Sequence, residues 1–123
     1  MTRKYKITVV GTGYVGMSMA ALLGQHNDVT ALDIDSARVA LINQGKSTVV
    51  DVHIQEFLDD RELSLTATMD KKEAYEGAEF IIIATPTDYD PETNYFDTSS
   101  VETVIDEAIA LNETAAIIIK STV

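Results

Sequence analysis

Short apolar runs and stretches of helically spaced apolar residues alternate along the chain. The runs at 80–84 and 115–119 are entirely apolar, which is typical of parallel strands buried on both faces. The runs at 7–10 and 29–33 also predict strands and are apolar except at Thr8, Thr30 and Asp33. A weaker alternation at 63–68 predicts a strand at the edge of the sheet. Strands separated by helical sequence predict an α/β fold.

Capping residues mark where three of the helices begin. Asp35 predicts the start of the second helix, Asp70 that of a short helix through Tyr75, and Ser99 or Ser100 that of a longer one. The second helix is predicted to pack on the sheet through Ala37, Val39, Ala40, Leu41 and Ile42. The helix that begins at Ser99 or Ser100 is predicted to pack on the sheet through Val101, Val104, Ile105, Ala108, Ile109 and Leu111.

These elements predict a Rossmann-like, doubly wound and mostly parallel sheet in strand order 3-2-1-4-5. We predict that residues 1–123 form one domain, with irregular connections at 45–60, where 54–58 is expected to make one or two helical turns, and at 88–97. Because the dinucleotide-binding fold has a further strand, we expect the domain to be truncated after its fifth strand, as a fragment of a longer protein.

The first strand breaks into a glycine-rich turn, Gly11-Thr12-Gly13-Tyr14-Val15-Gly16. In such a turn the first glycine permits the tight bend, the second lets backbone approach a pyrophosphate, and the third lets the helix lie close. The helix that follows directs its free N–H groups and positive dipole end at the phosphates. A GxGxxG alone is a weak signal, so its context has to support it.

Asp33 supplies that context at the end of the second strand. A carboxylate there accepts hydrogen bonds from the adenosine ribose diol and repels a 2′-phosphate, so the predicted cofactor is NAD rather than NADP. Asp33 also stands where it could cap the helix that begins near Asp35. Arg38 either reaches the ribose or Asp33, or is only solvated, and both interpretations stay open.

Threonines follow two further strands at the edge where open α/β sheets bind ligands. Thr85 and Thr87 flank Pro86 after the fourth strand, and Thr122 lies after the fifth. Threonines in such places more often cap or form turns, but the nearby pyrophosphate crevice favours a role in binding. The acidic residues of 88–97 match no calcium-loop pattern, so we predict no metal site.

Charge and cysteine content exclude several functions. The formal charge of −11, from 9 basic and 20 acidic residues, opposes nucleic acid and anionic membrane surfaces. The absence of cysteine removes disulfides, thiolate metal sites and thiol nucleophiles. The apolar stretch near the N-terminus is interrupted by glycines and lacks a clear signal-peptide cleavage site. We therefore expect a cytoplasmic protein without a membrane span.

Four segments together resemble the N-terminal, NAD-binding domain of nucleotide-sugar dehydrogenases, and the resemblance spans the whole chain. They are Gly11-Thr12-Gly13-Tyr14-Val15-Gly16, Asp33-Ile34-Asp35, Ala84-Thr85-Pro86-Thr87 and Lys120-Ser121-Thr122-Val123. The 85–100 stretch is more similar to the UDP-glucose branch than to the GDP-mannose or UDP-N-acetylmannosamine branches. The family commonly has a proline after the second helix, where this chain has Lys46-Ser47-Thr48-Val49, so we expect a less firmly held loop.

The resemblance implies oxidation of UDP-glucose to UDP-glucuronate by two hydride transfers to NAD, through a covalent intermediate on cysteine. It implies that Val15 packs near the cofactor, that Asp33 and Arg38 hold the adenosine ribose, and that Thr87 and Thr122 flank the nicotinamide half. Thr122 would also help to orient water, as an auxiliary catalytic residue. The family's nucleophile, general base and nucleotide-sugar contacts lie beyond residue 123, so the fragment alone is expected to be inactive. The full-length enzyme is expected to be a homodimer.

Two alternatives remain open from the sequence. The chain could be a non-catalytic module that senses NAD or NADH, or part of a dehydrogenase of another nucleotide sugar, UDP-N-acetylmannosamine or GDP-mannose. A methyltransferase that uses the glycine turn for S-adenosylmethionine is less favoured, because the complete fingerprint with its distal acid fits a dinucleotide.

Overall fold

The computed structural model describes residues 4–49, 52–60, 64–85, 88–90, 95–97 and 99–120. A parallel five-stranded sheet has the order β3-β2-β1-β4-β7, which confirms the predicted order because β7 is its fifth strand. Its strands are β1 (Lys6–Val10), β2 (Asp28–Leu32), β3 (Leu65–Thr68), β4 (Phe80–Ile83) and β7 (Ala116–Ile119). Two further strands, β5 (Asp88–Asp90) and β6 (Tyr95–Asp97), form an antiparallel pair.

The helices connect the strands in the expected alternation. They are α1 (Tyr14–Leu23), α2 (Ser36–Asn43), α3 (Val52–Asp60), α4 (Lys71–Tyr75) and α5 (Ser99–Leu111). Asp35 and Asp70 cap α2 and α4 as predicted, since each carboxylate accepts hydrogen bonds from two backbone N–H groups of the first turn. Within the described residues, no helix has the length and apolar character needed to cross a bilayer.

The register places the carboxyl ends of the central strands side by side. Val10 of β1 pairs with Leu32 of β2 and with Ile83 of β4. The residues that follow these strands therefore meet at one edge of the sheet, where open α/β folds bind ligands.

Alternate residues of β1 pack on opposite faces of the sheet. Ile7 and Val9 lie with Ala20 of α1, whereas Val10 lies with residues of α4 and α5. Burial of both faces explains why β1 is apolar from Ile7 to Val10 except at Thr8, whose buried hydroxyl donates to the Ala74 carbonyl oxygen. The burial of 115–119 on both faces is a wrong prediction, because β7 lies at the edge of the described sheet and its Ile118 and Ile119 are exposed.

The predicted packing faces of α2 and α5 need correction. In α2 only Ile42 is buried, whereas Ala37 and Ala40 are exposed, because α2 packs on the core by a narrow stripe. In α5, Ile109 and Leu111 are likewise exposed.

The connection at 45–60 contains a nine-residue helix, α3, rather than one or two turns. Its Ile54 is buried in a cluster with Met17 and Ala31, so tertiary packing stabilises a helix that its propensities do not indicate. The stretch at 88–97 contains the paired strands β5 and β6, each too short for a period of two to be recognised.

Candidate cofactor-binding site

The glycine turn has the backbone geometry that its sequence predicts. Gly11 has φ of +93°, in the left-handed region that favours glycine, and its N–H donates to the Leu32 carbonyl oxygen at 2.8 Å. A Cβ there would lie 3.0 Å from the carbonyl oxygen of Ala84. The turn is therefore pressed against the ends of β2 and β4.

The other two glycines have opposite environments. A Cβ on Gly16 would lie 1.8 Å from the carbonyl oxygen of Gly11, so no side chain fits there. A Cβ on Gly13 would meet nothing within 4 Å. Gly13 therefore has open space beside it, directly at the N-terminus of α1, where free backbone N–H groups attract an anion.

Asp33 is buried and holds the glycine turn from the side of β2. Its Oδ2 accepts hydrogen bonds from the Thr12 backbone N–H at 3.0 Å and from the Thr12 hydroxyl at 2.5 Å. Its Oδ1 accepts one from the Asp35 N–H at 2.9 Å. Asp33 does not cap α2, because Asp35 is the N-cap residue and Asp33 accepts only from the Asp35 N–H that precedes the helix. Asp33 instead bonds to the glycine turn, and its role in ribose binding stays a prediction.

Arg38 reaches Asp33. One guanidinium nitrogen lies 3.7 Å from Asp33 Oδ2, and its Nε lies 3.8 Å from Asp35 Oδ2. The side chain is 44% exposed, so these pairs contribute little to stability. They do place a cation beside the carboxylate that is predicted to bind ribose.

A cavity of about 860 Å³ opens between the glycine turn and helices α4 and α5. Its size lies in the range of small-molecule sites. The predicted cofactor residues that line it are Gly11, Gly13, Tyr14, Val15, Asp33, Arg38 and Thr85. Gly16 supports the turn, while Thr87 and Thr122 lie outside the described residues.

Thr85 is the clearest indication of a missing partner. Its hydroxyl oxygen is buried and has no hydrogen-bond partner, although the residue lines the cavity. Buried polar groups are nearly always satisfied, so an exception at a cavity wall indicates a ligand that supplies the bond.

The sequence analysis missed the far wall of the cavity. Tyr75 of α4 is fully buried, lines the cavity, and also has a hydroxyl without a partner. Burial, with a smaller effect from the Glu107 carboxylate, raises the pKa of Tyr75 to about 12. Lys71 and Glu107 pair at 2.8 Å across α4 and α5 on the same wall. These residues were predicted only as helix, and no local motif marks them as part of a site.

The residues present fit a dinucleotide. An anion fits at the N-terminus of α1 beside the open side of Gly13, and a diol fits beside Asp33. The unsatisfied hydroxyl of Thr85 can bond to a ligand in the same cavity. Within the described residues, no cluster of histidine, cysteine or acidic side chains could hold a metal ion.

Sequence comparison places this site among known proteins. The profile of the UDP-glucose/GDP-mannose dehydrogenase family, NAD binding domain, matches residues 5–123. UDP-glucose 6-dehydrogenase of Streptococcus pneumoniae is 46% identical over 118 residues, which are 96% of this chain and 30% of that enzyme. UDP-glucose 6-dehydrogenase of Campylobacter jejuni is 45% identical over 120 residues, with the same coverage. The chain thus spans about 30% of the length of these relatives.

Comparison with solved structures also finds a nucleotide-sugar dehydrogenase. A crystal structure of a ternary complex of GDP-mannose dehydrogenase from Pseudomonas aeruginosa matches with a TM-score of 0.82 and 30% identity. The match covers 95% of this chain and 28% of that one. Similarity in both sequence and fold therefore extends over nearly the whole chain.

Proposed function

Because the chain belongs to the UDP-glucose/GDP-mannose dehydrogenase family and forms its NAD-binding domain, we propose that it is the cofactor-binding part of a longer enzyme. That enzyme oxidises UDP-glucose to UDP-glucuronate in two hydride transfers to NAD. The choice of sugar is supported by 45–46% identity to two UDP-glucose 6-dehydrogenases. The identity of the sugar is a separate part of the proposal, because relatives named for other substrates share the same cofactor-binding domain.

The observation that carries the cofactor assignment is the position of Asp33. Its carboxylate lies at the end of β2, bonded to the glycine turn and lining the cavity. A ribose hydroxyl donates to such a group, whereas a 2′-phosphate is repelled by it. Arg38 could favour a 2′-phosphate, but it already faces two carboxylates, Asp33 and Asp35. The local charge balance therefore favours NAD.

The roles of the other residues follow from their positions. Gly13 and the first turn of α1 bind the diphosphate through backbone N–H groups, and Tyr14 and Val15 line the adjoining wall. Thr85 donates or accepts a hydrogen bond that it lacks in the free protein. NAD, when bound, accepts the hydride. Thr87 and Thr122 are proposed to flank the nicotinamide half, with Thr122 as the auxiliary residue that orients water.

The chemistry of the sugar needs residues that these 123 do not supply. The chain has no cysteine, so a covalent route through a thioester depends on a nucleophile elsewhere in the enzyme. We propose that a second domain supplies the nucleophile, the general base and the nucleotide-sugar contacts. We also propose a cytoplasmic homodimer, which light scattering on the full-length protein would test.

The test is a pair of measurements on the full-length protein. Calorimetric titration should show NAD binding much more tightly than NADP, and Asp33→Ala should weaken NAD by about tenfold to a hundredfold, as expected for a hydrogen bond to a charged group. Asp106→Ala, an exposed acid of α5, is the charge-matched control. NADH formation should be fastest with UDP-glucose.

Other outcomes separate the alternatives. Faster turnover of GDP-mannose or UDP-N-acetylmannosamine would keep the cofactor assignment and change the sugar. NAD binding without turnover of any of the three sugars would favour a sensing module. Equal affinity for NADP would refute the role assigned to Asp33.

A further inference from the structure

The connection that follows α2 touches the glycine turn at one point. Thr48, which is partly buried, donates a hydrogen bond from its hydroxyl to the carbonyl oxygen of Thr12. The two residues are 36 positions apart in the sequence. Thr48 does not itself line the cavity, so a contact with the cofactor does not explain it.

The geometry of the peptide bond gives this contact a consequence for binding. The bond between Thr12 and Gly13 is trans and planar, so the Thr12 carbonyl and the Gly13 N–H point in opposite directions. Holding the carbonyl toward Thr48 therefore directs the Gly13 N–H away from Thr48. Gly13 lines the cavity and has open space beside it. A rotated peptide would instead present a carbonyl dipole to an incoming anion.

We infer that Thr48 is a positioning residue for the cofactor diphosphate, acting through the Thr12–Gly13 peptide. This inference rests on the proposed NAD binding and deepens it. Asp33 holds the peptide before Thr12 through the Thr12 N–H, and Thr48 holds the peptide after it. Hydrogen bonds thus hold the turn on both sides of Thr12. Asp33 belongs to the dinucleotide-binding sequence pattern, whereas Thr48 does not.

The connection that carries Thr48 is itself held firmly. The side-chain amide of Gln55 on α3 accepts from the Ser47 N–H at 2.9 Å and donates to the Gly45 carbonyl at 3.2 Å. Val49 packs on the buried cluster around Ile54. Hydrogen bonds and packing thus hold the described part of this loop, while the weaker constraint expected from the missing proline stays a prediction.

The experiment compares substitutions of Thr48 in the full-length protein, with NAD, ADP and adenosine as ligands in calorimetric titrations. Thr48→Val removes the donor at nearly constant volume and should weaken NAD and ADP by about 5- to 10-fold, the value of one hydrogen bond. Adenosine, which lacks the diphosphate, should change by less than about twofold. Thr48→Ser keeps the donor and should restore NAD and ADP binding. Thr66→Val, on an exposed face of β3, is the matched control.

A second variant avoids dependence on how Thr48→Val folds. Gln55→Leu releases the connection but keeps the Thr48 hydroxyl, and it should give the same selective loss at about two- to fivefold. Equal losses for adenosine and ADP, or no loss in either variant, would overturn the positioning role while leaving NAD binding intact. A wild-type protein that binds neither NAD nor ADP would overturn the proposed function and this inference with it.

Discussion

Asp33 Oδ2 accepts two hydrogen bonds from the same residue, Thr12, through its backbone N–H at 3.0 Å and its hydroxyl at 2.5 Å. The carboxylate proposed to bind ribose is therefore already part of the architecture that shapes the glycine turn. A loss of binding in a variant of Asp33 combines two effects, a lost ligand contact and a loosened turn. Measurements of stability without cofactor separate them.

Asp33→Ala should destabilise the cofactor-free protein. It removes an acceptor from the Thr12 N–H and the Asp35 N–H, so the free energy of unfolding should fall by about 2 to 3 kcal/mol in urea titrations. Thr12→Val removes only the hydroxyl bond and should cost about 1 kcal/mol. An unchanged stability of Asp33→Ala would mean that the carboxylate serves the ligand alone.

A double-mutant cycle tests the coupling directly. If the Thr12 hydroxyl acts through Asp33, the double variant should lose less stability than the sum of the two single variants. Asp106→Ala, exposed on α5, should change the free energy of unfolding by less than about 0.5 kcal/mol and serves as the control.

Alanine at Gly13 and at Gly16 should separate binding from folding. Gly16→Ala drives a methyl group into the Gly11 carbonyl, 1.8 Å away, and should destabilise the fold by about 3 kcal/mol or more. Gly13→Ala meets no atom within 4 Å and should keep the melting temperature, while its methyl group occupies the space proposed for the diphosphate. Its NAD affinity should therefore fall at least about tenfold, measured by calorimetry.

The opposite results would contradict the proposed diphosphate site at Gly13 and the packing role of Gly16. If Gly13→Ala bound NAD normally, the diphosphate would not pass beside this residue. If Gly16→Ala folded as stably as wild type, the contact with Gly11 would be relieved by a small shift of α1, and the third glycine would not be required for close packing.

Thr85→Val should leave the cofactor-free protein as stable as wild type or more so. The Thr85 hydroxyl oxygen is buried without a partner, so replacing it by a methyl group removes an unsatisfied group at little cost in packing. NAD affinity should nevertheless fall by about 5- to 10-fold, because the ligand loses the bond that satisfies this hydroxyl. Thermal melting with and without NAD measures both effects. A parallel loss of stability would show that another protein group uses the hydroxyl.

The sequence predicts the sheet well because its signals are local. Mostly apolar runs bounded by glycine, proline or acidic residues identify β1, β2 and β4, and the central strands of a parallel sheet are buried on both faces. The glycine turn and Asp33 follow from spacing along one βαβ unit. These features depend on residues within about thirty positions of one another.

What the sequence does not predict depends on contacts between distant elements. The hydrogen bond from Thr48 to Thr12 links residues that no motif connects, since the GxGxxG pattern leaves the position between its first two glycines unspecified. Helix α3 forms because Ile54 finds a core site on Met17 and Ala31. Tyr75 becomes part of the cavity wall only when α4 and α5 pack together.

The raised pKa of Tyr75 should lower the free energy of unfolding at alkaline pH. Its pKa is about 12 in the folded protein, raised mainly by burial, against the ordinary value of 10 in the unfolded chain. Between these values the unfolded chain has lost the phenolic proton and the folded protein has kept it. The unfolded state then binds fewer protons, so the free energy of unfolding decreases as pH rises from 10 to 12, by no more than about 3 kcal/mol.

Tyr75→Phe isolates this contribution from the other groups that titrate in the same range. At pH 8 the variant should be more stable than wild type by about 1 kcal/mol, because it removes a buried hydroxyl without a partner. The difference should widen as pH rises from 10 toward 12, since only wild type loses the proton on unfolding. Urea titrations across this range measure it, and a tyrosinate absorbance titration should lose its latest step in the variant. A difference that stays constant with pH would show that the Tyr75 hydroxyl is solvated in the folded protein.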